Sequence, residues 1–498
     1  AGVALSNLPS SQPPCAPGHA MASAPLERPY MAADSRLMLQ LLPLKADGVD
    51  SPKCVSLLLD GAFWTAVLTT ANAALGAGVL AYPFAFRNAG LAGGALLLLL
   101  LAALSFVSLA FLVQARARLA DRGHAQLAAY GEVVRAGCGG VAASCVEVLV
   151  LLYAFGACWG YLVLLADVLT PLLNPLLDSL LHASLSNFAA RTVIMAACTV
   201  ICALLCLLRR ISALRYSSAL AVLAVLFLVV MLVNDSIRSP CRVGACADET
   251  GLEGWCTRAQ LVEDDARALK RCDGTTDGVQ AWPQDSSNLF RSLPLIAFAL
   301  QCHIQGASVY SEMPERVRTP RVWTSVAFAA IAIVFCLYMP TGLAGYAKFG
   351  VQTQGDILTN FNVKDSLADL ARGCIATAAL CAFPMQHYPG RIIIHKIFLT
   401  VSKSPAGTEM SMRFIVVEAL AFCLAVLALS VSAGDSLSAI FQLVGAICGG
   451  TVIFSVPGVL AMRTAESRLT RGVGLLLLLV GGFIAVAGSY VTLVQMGA

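Results

Sequence analysis

Asparagine, glycine and proline interrupt an apolar stretch near the start of this chain, and their spacing suits the binding of ions and zwitterions. The segment 68–87 is long enough to cross a bilayer, yet it contains Asn72, Gly76, Gly78 and Pro83. A spanning helix is interrupted only where the break is buried or faces a cavity, because unpaired backbone groups are costly in hydrocarbon. In secondary transporters such breaks hold cations and anionic substrate groups. The alternative is a kinked helix whose glycines let a neighbouring helix pack closely.

The composition excludes a soluble protein. Of the 498 residues, 58% are hydrophobic and 12% are charged, and the apolar runs have the length of roughly 20 residues that crosses a bilayer core. The sequence therefore predicts a polytopic, all-α integral membrane protein. A net charge of +4 gives no reason to expect a nucleic-acid partner. The chain lacks a phosphate-binding loop, a metal-spaced Cys/His cluster and a nucleophile elbow, so we expect no enzyme activity and no cofactor.

Eleven apolar segments have the length of membrane spans. They fall at about 61–86, 91–114, 141–168, 189–208, 216–236, 289–312, 323–347, 366–388, 412–432, 437–462 and 473–496. Lys and Arg are concentrated in every second loop, and cytosolic loops carry this excess, so the pattern predicts a cytosolic N-terminus. We expect residues 1–55 to be a disordered cytosolic tail, followed by an eleven-helix domain at 56–498.

The long loop at about 237–287 is placed on the non-cytosolic side by the same count. It contains four cysteines, Cys241, Cys246, Cys256 and Cys272. Cysteines in an oxidising compartment form disulfides, and four of them allow three full pairings. A zinc site is the alternative, although the loop contains neither a Cys-x-x-Cys pair nor a histidine.

A second interruption occurs in the sixth span. If the eleven spans divide as a five-plus-five inverted repeat plus one, the sixth corresponds to the first and should also be broken. It carries Gln301, His303, Gln305 and Gly306 in mid-membrane. Two interruptions in matching positions favour a transporter whose substrate site lies between them.

These two segments also carry a resemblance to a known family. The run Asn72-Ala-Ala-Leu-Gly-Ala-Gly-Val-Leu-Ala-Tyr-Pro-Phe84 resembles the first-helix signature of the amino acid/auxin permease group. Phe298-Ala-Leu-Gln-Cys-His303 is similar to the sixth helix of the sodium-coupled neutral amino acid transporters, and most to their lysosomal-type members. The resemblance covers about residues 57–496. It implies a LeuT-like fold of eleven helices, with helices one and six broken, that moves small amino acids, usually with Na⁺.

The resemblance also assigns site residues. Asn72 and Thr377 fall on an asparagine and a threonine that help bind Na⁺ in the family. Alternatively, Asn72 makes an interhelical hydrogen bond, Thr377 bonds its own helix, and His303 is structural or relays a proton. The expected substrate contacts are Ala71, Gly76, Ala77, Gly78, Gln301, His303 and Gly306.

The leading hypothesis is a secondary active transporter of neutral L-amino acids, a monomer in lipid that works by Na⁺-coupled alternating access. The alternatives are an H⁺-coupled or uncoupled vacuolar or lysosomal exporter, and an amino acid sensor that signals through its tail. The plasma membrane and the lysosomal or vacuolar membrane are the expected locations. Between Thr65 and Phe86, and between Leu293 and Ser311, no side chain carries a fixed charge, so a charged substrate side chain would meet an uncompensated desolvation penalty. Glu147, Asp167 and Glu418 lie within other spans and are functional candidates by default.

We predict that at least one disulfide joins two of the four loop cysteines, because their loop is placed in a non-cytosolic compartment. Mass mapping of the non-reduced protein checks this. Four free thiols would contradict both the disulfide and the predicted side of the loop.

Overall fold

The computed structural model describes residues 60–497 apart from 125–126, 182–185, 208–214, 239–278, 363–364, 406–407 and 433–436. Every regular element in this part of the chain is a helix. The α-helices are α1 (Gly61–Ala74), α2 (Tyr82–Ala89), α3 (Leu91–Asp121), α4 (Tyr130–Cys138), α5 (Gly140–Leu181), α6 (Asn187–Cys206), α7 (Arg215–Arg238), α8 (Ser286–Ala299), α9 (His303–Glu312), α10 (Pro320–Phe349), α11 (Ser366–Val401), α12 (Met412–Ser432), α13 (Leu437–Val444), α14 (Val456–Thr464) and α15 (Arg468–Gly497). Short 3₁₀ helices occupy Ala77–Ala81, Gly350–Gln352 and Ile357–Asn360, and a π-helix occupies Gly445–Ser455. The predicted tail at 1–55 and the four loop cysteines lie outside the described residues.

Nine of the described helices are long and apolar enough to cross a membrane, and ten spans result if the bent pair Gly61–Ala74 and Gly78–Ala89 is counted as one. Length and hydropathy therefore give fewer spans than the expected eleven, because the sixth predicted span is divided: α8 ends at Ala299 and α9 begins at His303. Neither of these helices alone has the roughly 20 residues that a span needs. The eighth predicted span is longer than expected, since α11 continues to Val401. The fold is that of a multi-pass helical membrane protein.

Local sequence explains where the first segment stops and restarts. The Asp60 side chain accepts a hydrogen bond from the Ala62 N–H and caps the start of α1. Gly76 is extended, with φ −112° and ψ −160°, so the helix cannot continue through it. Pro83 lies in the first turn of α2, where a missing N–H costs nothing.

The long helices pack around α11 and α10. Helix α11 packs against α5, α6 and α7. Helix α10 packs against α1, α2, α3 and α7. The outward faces of the helices expose apolar side chains, among them Leu99, Leu204, Leu223 and Leu479. Such a surface is stable in hydrocarbon and is rare on a soluble monomer.

The connection between α10 and α11 is held by a buried arginine. Arg372 is 2% exposed, and its Nη2 donates hydrogen bonds to the carbonyls of Leu358 at 3.1 Å and Phe361 at 2.8 Å. Asp356 is also buried, and its Oδ1 accepts from the Leu358 N–H at 2.8 Å at the start of a 3₁₀ turn. The connection is therefore an ordered cover over one end of the helix bundle.

We predict that Asp356 makes the stability of this connection depend on pH. Burial raises its pKa from 3.8 to about 8, and the negative charge of Asp167 acts in the same direction. The folded protein then holds a proton that the unfolded chain releases, so stability should fall as pH rises from about 4 to about 8. Asp356→Asn keeps the cap and should reduce this fall in the unfolding temperature measured in detergent.

The matched control is Glu315→Gln, which removes a side-chain carboxylate that is 91% exposed. It should keep the wild-type pH dependence. An unchanged pH dependence in Asp356→Asn would show that this carboxyl does not titrate in the window.

Candidate functional site

One tyrosine hydroxyl joins the two interruptions. The Tyr338 Oη of α10 lies 2.6 Å from the Ala74 carbonyl oxygen and 3.3 Å from the Ala299 carbonyl oxygen. Both carbonyls belong to last turns of helices, where carbonyl groups have no partner within the helix. Tyr338 is fully buried, so its hydroxyl supplies a donor where water is excluded.

A small cavity lies beside these two helix ends. It is lined by Ala73, Ala74, Gly76, Gly78, Tyr153, Ala157, Tyr161, Phe298, Ala299, Gln386 and Phe441. None of these side chains is charged, and their polar atoms are two phenol hydroxyls and one amide. Phe298 stacks on Phe441 with ring centroids 4.4 Å apart. The walls therefore offer aromatic surface, a few neutral hydrogen-bonding groups and exposed helix ends.

Neighbouring side chains of α11 reach both interrupted segments. The Gln386 Oε1 accepts from Gln305 Nε2 of α9 at 3.2 Å, and its Nε2 donates to the Ala73 carbonyl of α1 at 3.4 Å. The adjacent Met385 Sδ lies 3.3 Å from Asn72 Nδ2. These four side chains belong to residues that are at most 8% exposed. A shift of α11 at this level would therefore move the wall contributed by α1 and the contact with α9.

The structure places Gly76 and Gly78 on the cavity wall. A side chain at either would collide with the opposite wall, since a Cβ on Gly76 would overlap the Tyr161 hydroxyl and one on Gly78 would lie 2.7 Å from the Ala299 Cβ. Ala71 is buried in α1 and is not among the lining residues. The side chain of Ala77 lies outside the described part of the chain.

The expected contacts from the sixth segment lie away from the cavity wall, and two of them face α3. The His303 Nε2 lies 2.7 Å from the Ser108 Oγ, and a Cβ on Gly306 would lie 2.8 Å from a Leu109 methyl. Gln301 is fully buried, and neither atom of its amide has a hydrogen-bond partner among the described residues. The contact of these three residues with substrate stays a prediction, and this conformation does not place them on the cavity wall.

Asn72 and Thr377 are not brought together. Asn72 is 4% exposed, whereas Thr377 is exposed and donates its hydroxyl hydrogen bond to the Gly373 carbonyl of its own helix at 2.9 Å. Met385, which contacts Asn72, follows Thr377 by eight residues, or about 12 Å along the helix axis. The Na⁺ site with both ligands stays a prediction, and this conformation does not support Thr377 as the partner of Asn72.

Sequence reasoning missed the walls contributed by α5 and α11. Tyr153, Ala157 and Tyr161 recur every four residues, the spacing of one helix face, but a tyrosine stripe also fits an ordinary core. Gln386 is a lone amide two residues after Pro384. An amide at this place in an apolar span was the available signal for the wall contributed by α11.

Sequence reasoning named Glu418 on α12 as a candidate but missed its charged partners on α11. Glu418 accepts hydrogen bonds from His387 Nε2 at 2.8 Å and from Arg391 Nε at 3.3 Å. The four-residue spacing of His387 and Arg391 was visible, but the predicted end of the span at 388 assigned Arg391 to a loop. Arg391 is 2% exposed within α11, so this assignment was wrong.

Glu147 lies at the surface between three helices. Its carboxylate pairs with Arg135 at 3.5 Å and with Lys396. The Glu147 carboxylate therefore forms ordinary ion pairs that join α4, α5 and α11.

Comparison with known proteins identifies relatives over most of the chain. Residues 60–495 match the family described as transmembrane amino acid transporter protein. The chain is 27% identical over 408 residues to sodium-coupled neutral amino acid transporter 7 of Xenopus laevis, which covers 81% of each protein. It is 26% identical over 399 residues to vacuolar amino acid transporter 2 of Saccharomyces cerevisiae, with 79% of this chain and 74% of the yeast protein covered. The crystal structure of a manganese transporter from Eremococcus coleocola matches with a TM-score of 0.52 and 13% identity, over 91% of this chain and 90% of the other, and this likeness concerns the fold alone.

We predict that Gly76→Ala destabilises the protein by about 1–3 kcal/mol, because the added methyl group overpacks the wall against Tyr161. Tyr161→Phe in the same chain removes the colliding oxygen and should recover part of the loss. The measurement is thermal unfolding in detergent. Gly482→Ala is the control, since its Cβ would meet nothing within 4 Å. Equal stability of Gly76→Ala and the control would contradict the proposed close approach.

Proposed function

Since the chain belongs to the transmembrane amino acid transporter family, we propose that it is a secondary active transporter of small neutral amino acids that works by alternating access. The observation that carries the proposal is the cavity between the two interrupted segments. Its walls combine helix ends with neutral side chains. Broken helices at a central cavity are the usual substrate site of secondary transporters.

The helix ends suit the head group of an amino acid. The N-terminus of the 3₁₀ helix at Ala77–Ala81 carries partial positive charge, which favours a carboxylate. The carbonyls at the ends of α1 and α8 carry partial negative charge, which favours an ammonium group. A zwitterion is therefore stabilised at both ends without a fixed charge in the wall.

The side-chain wall favours neutral substrates. A substrate with a charged side chain would lose its hydration without gaining a counter-charge, at a cost of several kcal/mol. Gln386 and the hydroxyls of Tyr153 and Tyr161 offer neutral partners for a polar side chain. Glutamine, asparagine, alanine and serine should therefore be transported ahead of lysine, arginine, aspartate and glutamate.

The proposed arrangement has eleven spans and a cytosolic N-terminus. In this arrangement, residues 286–312 cross the membrane as one interrupted span. In alternating access, the first, second, sixth and seventh spans would move against the others. An ion pair between Asp60 and Arg316, 3.0 Å apart, joins the start of α1 to the segment after α9 and supports their movement as one body.

We propose Na⁺ as the coupling ion, held near Asn72 and the carbonyls released at the end of α1. The name of the Xenopus relative, a sodium-coupled transporter, supports this assignment. Proton coupling in a vacuolar or lysosomal membrane is the second candidate. The buried carboxylate and histidine between α11 and α12 favour proton coupling, and the name of the yeast relative favours the vacuolar membrane.

Uptake of labelled amino acids into proteoliposomes, under imposed Na⁺ or H⁺ gradients, tests the function. Glutamine, asparagine, alanine and serine should be accumulated, and empty liposomes should accumulate none. A preference of about tenfold for lysine or glutamate over glutamine, which corresponds to about 1.4 kcal/mol, would contradict the neutral substrate class.

We predict that Asn72→Ala lowers the apparent Na⁺ affinity about tenfold or more with little change in protein abundance, because it removes a buried amide oxygen beside the break. The measurement is transport as a function of Na⁺ concentration. Unchanged Na⁺ dependence would contradict the ion site. Thr377→Ala, measured alongside, decides whether that hydroxyl joins the site in another conformation, since only then should the Na⁺ affinity fall.

A further inference from the structure

A cluster of three ionisable side chains lies in the interior between α11, α12 and α6. His387 Nε2 lies 2.8 Å from Glu418 Oε1, and Arg391 Nε lies 3.3 Å from Glu418 Oε2. Arg391 also donates a hydrogen bond to the Cys206 carbonyl at the end of α6. His387 is fully buried, and Arg391 and Glu418 are 2% and 6% exposed. Intramembrane charges of this kind are expensive and commonly mark proton pathways.

The geometry fixes the protonation state of the histidine. Arg391 Nη2 lies 3.3 Å from His387 Nδ1, and a guanidinium only donates hydrogen bonds, so Nδ1 must be the accepting nitrogen. The ring proton is then on Nε2, which donates to Glu418. In this state His387 is neutral, Arg391 and Glu418 cancel, and the cluster has no net charge.

Among the described residues that interact with the cluster, the other titratable groups are two thiols. They are Cys158 on α5 and Cys423 on α12, whereas Cys206 on α6 contributes the carbonyl that Arg391 contacts. Thiols are weak hydrogen-bonding groups. Among these side chains, the carboxylate and the imidazole are therefore the groups suited to accept a proton.

The cluster is linked to the cavity through a deformable turn of α11. Met385 and Gln386, which contact the interrupted segments, immediately precede His387. Pro384 and Pro389 lie within the helix on either side of them. Each proline removes one backbone hydrogen bond, and helices bend at such positions. A rearrangement of His387 or Arg391 is therefore transmitted along the same turn to the cavity wall.

We propose that Glu418 and His387 form a proton-binding site, separate from the substrate cavity, through which amino acid transport is coupled to pH. This inference rests on the proposed transport function and specifies its proton dependence. One proton adds either to the Glu418 carboxylate or to His387 Nδ1, and the net charge of the cluster rises from zero to plus one. Addition to the carboxylate removes the counter-charge of Arg391, and addition to Nδ1 displaces the Arg391 hydrogen bond. Both changes release Arg391 and shift the turn that ends at Gln386.

The test compares the exchange of labelled glutamine in proteoliposomes from about pH 5 to about pH 8, with the same pH on both sides. The wild type should change its rate about tenfold or more across this range, and Glu418→Gln and His387→Gln should change less than about twofold. Glu147→Gln is the matched control, since its carboxylate pairs with Arg135 and Lys396 away from the cluster. It should keep the wild-type profile. A flat wild-type profile, or a wild-type profile in both cluster variants, would overturn the proposal.

A second readout does not require transport. The unfolding temperature of the full-length protein in detergent is measured across the same pH range, and both cluster variants should lose the part of the pH dependence that Glu418 and His387 contribute. Asp356 is intact in all of these proteins, so its contribution is shared. If Glu418→Gln alone does not fold, the variant that combines it with Arg391→Gln removes both charges and preserves neutrality. Failure of every protein to move a neutral amino acid would contradict the proposed function, whereas identical unfolding profiles would contradict the proton site.

Discussion

A backbone group that leaves a helix inside a membrane must find its partner within the protein, and this requirement shapes the centre of the molecule. The ends of α1 and α8 meet at one hydroxyl, because Tyr338 lies within hydrogen-bonding distance of both Ala74 and Ala299 carbonyls. The same requirement is met elsewhere by buried arginines: Arg372 satisfies carbonyls of the connection before α11, and Arg391 satisfies the end of α6. The helix ends that face the cavity can then interact with a zwitterion. Its carboxylate complements N-terminal helix ends, and its ammonium group complements C-terminal ends.

The helix α11 connects the two kinds of chemistry in this protein. The side chains of Met385 and Gln386 contact neutral groups of the interrupted segments, and the next residue, His387, begins the charged cluster. The prolines in this region weaken the helix where the two sets meet. A rigid helix would hold the cavity contacts and the charged cluster in a fixed arrangement. A bent helix lets a change of charge in the cluster alter the geometry of the cavity contacts.

Composition and hydropathy were sufficient to predict the all-helical membrane fold, because the bilayer demands long apolar helices whatever their packing. They did not locate the end of α11, since His387 and Arg391 lower the hydropathy of a segment that the fold nevertheless buries. The position of Gly76 on the cavity wall was predictable from its lack of a side chain. The direction in which Thr377 and His303 point was not, because the face that a residue presents depends on which neighbouring helix packs there. The aromatic wall from α5 was hidden for a related reason: tyrosines at helical spacing are equally typical of a core.

The separation of charge from substrate has a consequence for the two proposed cations. In the described state Arg391 and Glu418 neutralise each other, so the cluster places no net charge behind the cavity. A proton there adds one positive charge across the width of α11, roughly 10 Å from the region of Asn72. At an effective dielectric constant of about 20, two unit charges at that separation repel by about 1.7 kcal/mol, more than the 1.4 kcal/mol that corresponds to a factor of ten in affinity. Proton binding at the proposed cluster site and cation binding at the proposed site near Asn72 would therefore oppose each other, whereas a neutral zwitterion in the cavity would be affected much less. For the two proposed sites, acid conditions would therefore favour release of the cation while the substrate stays bound.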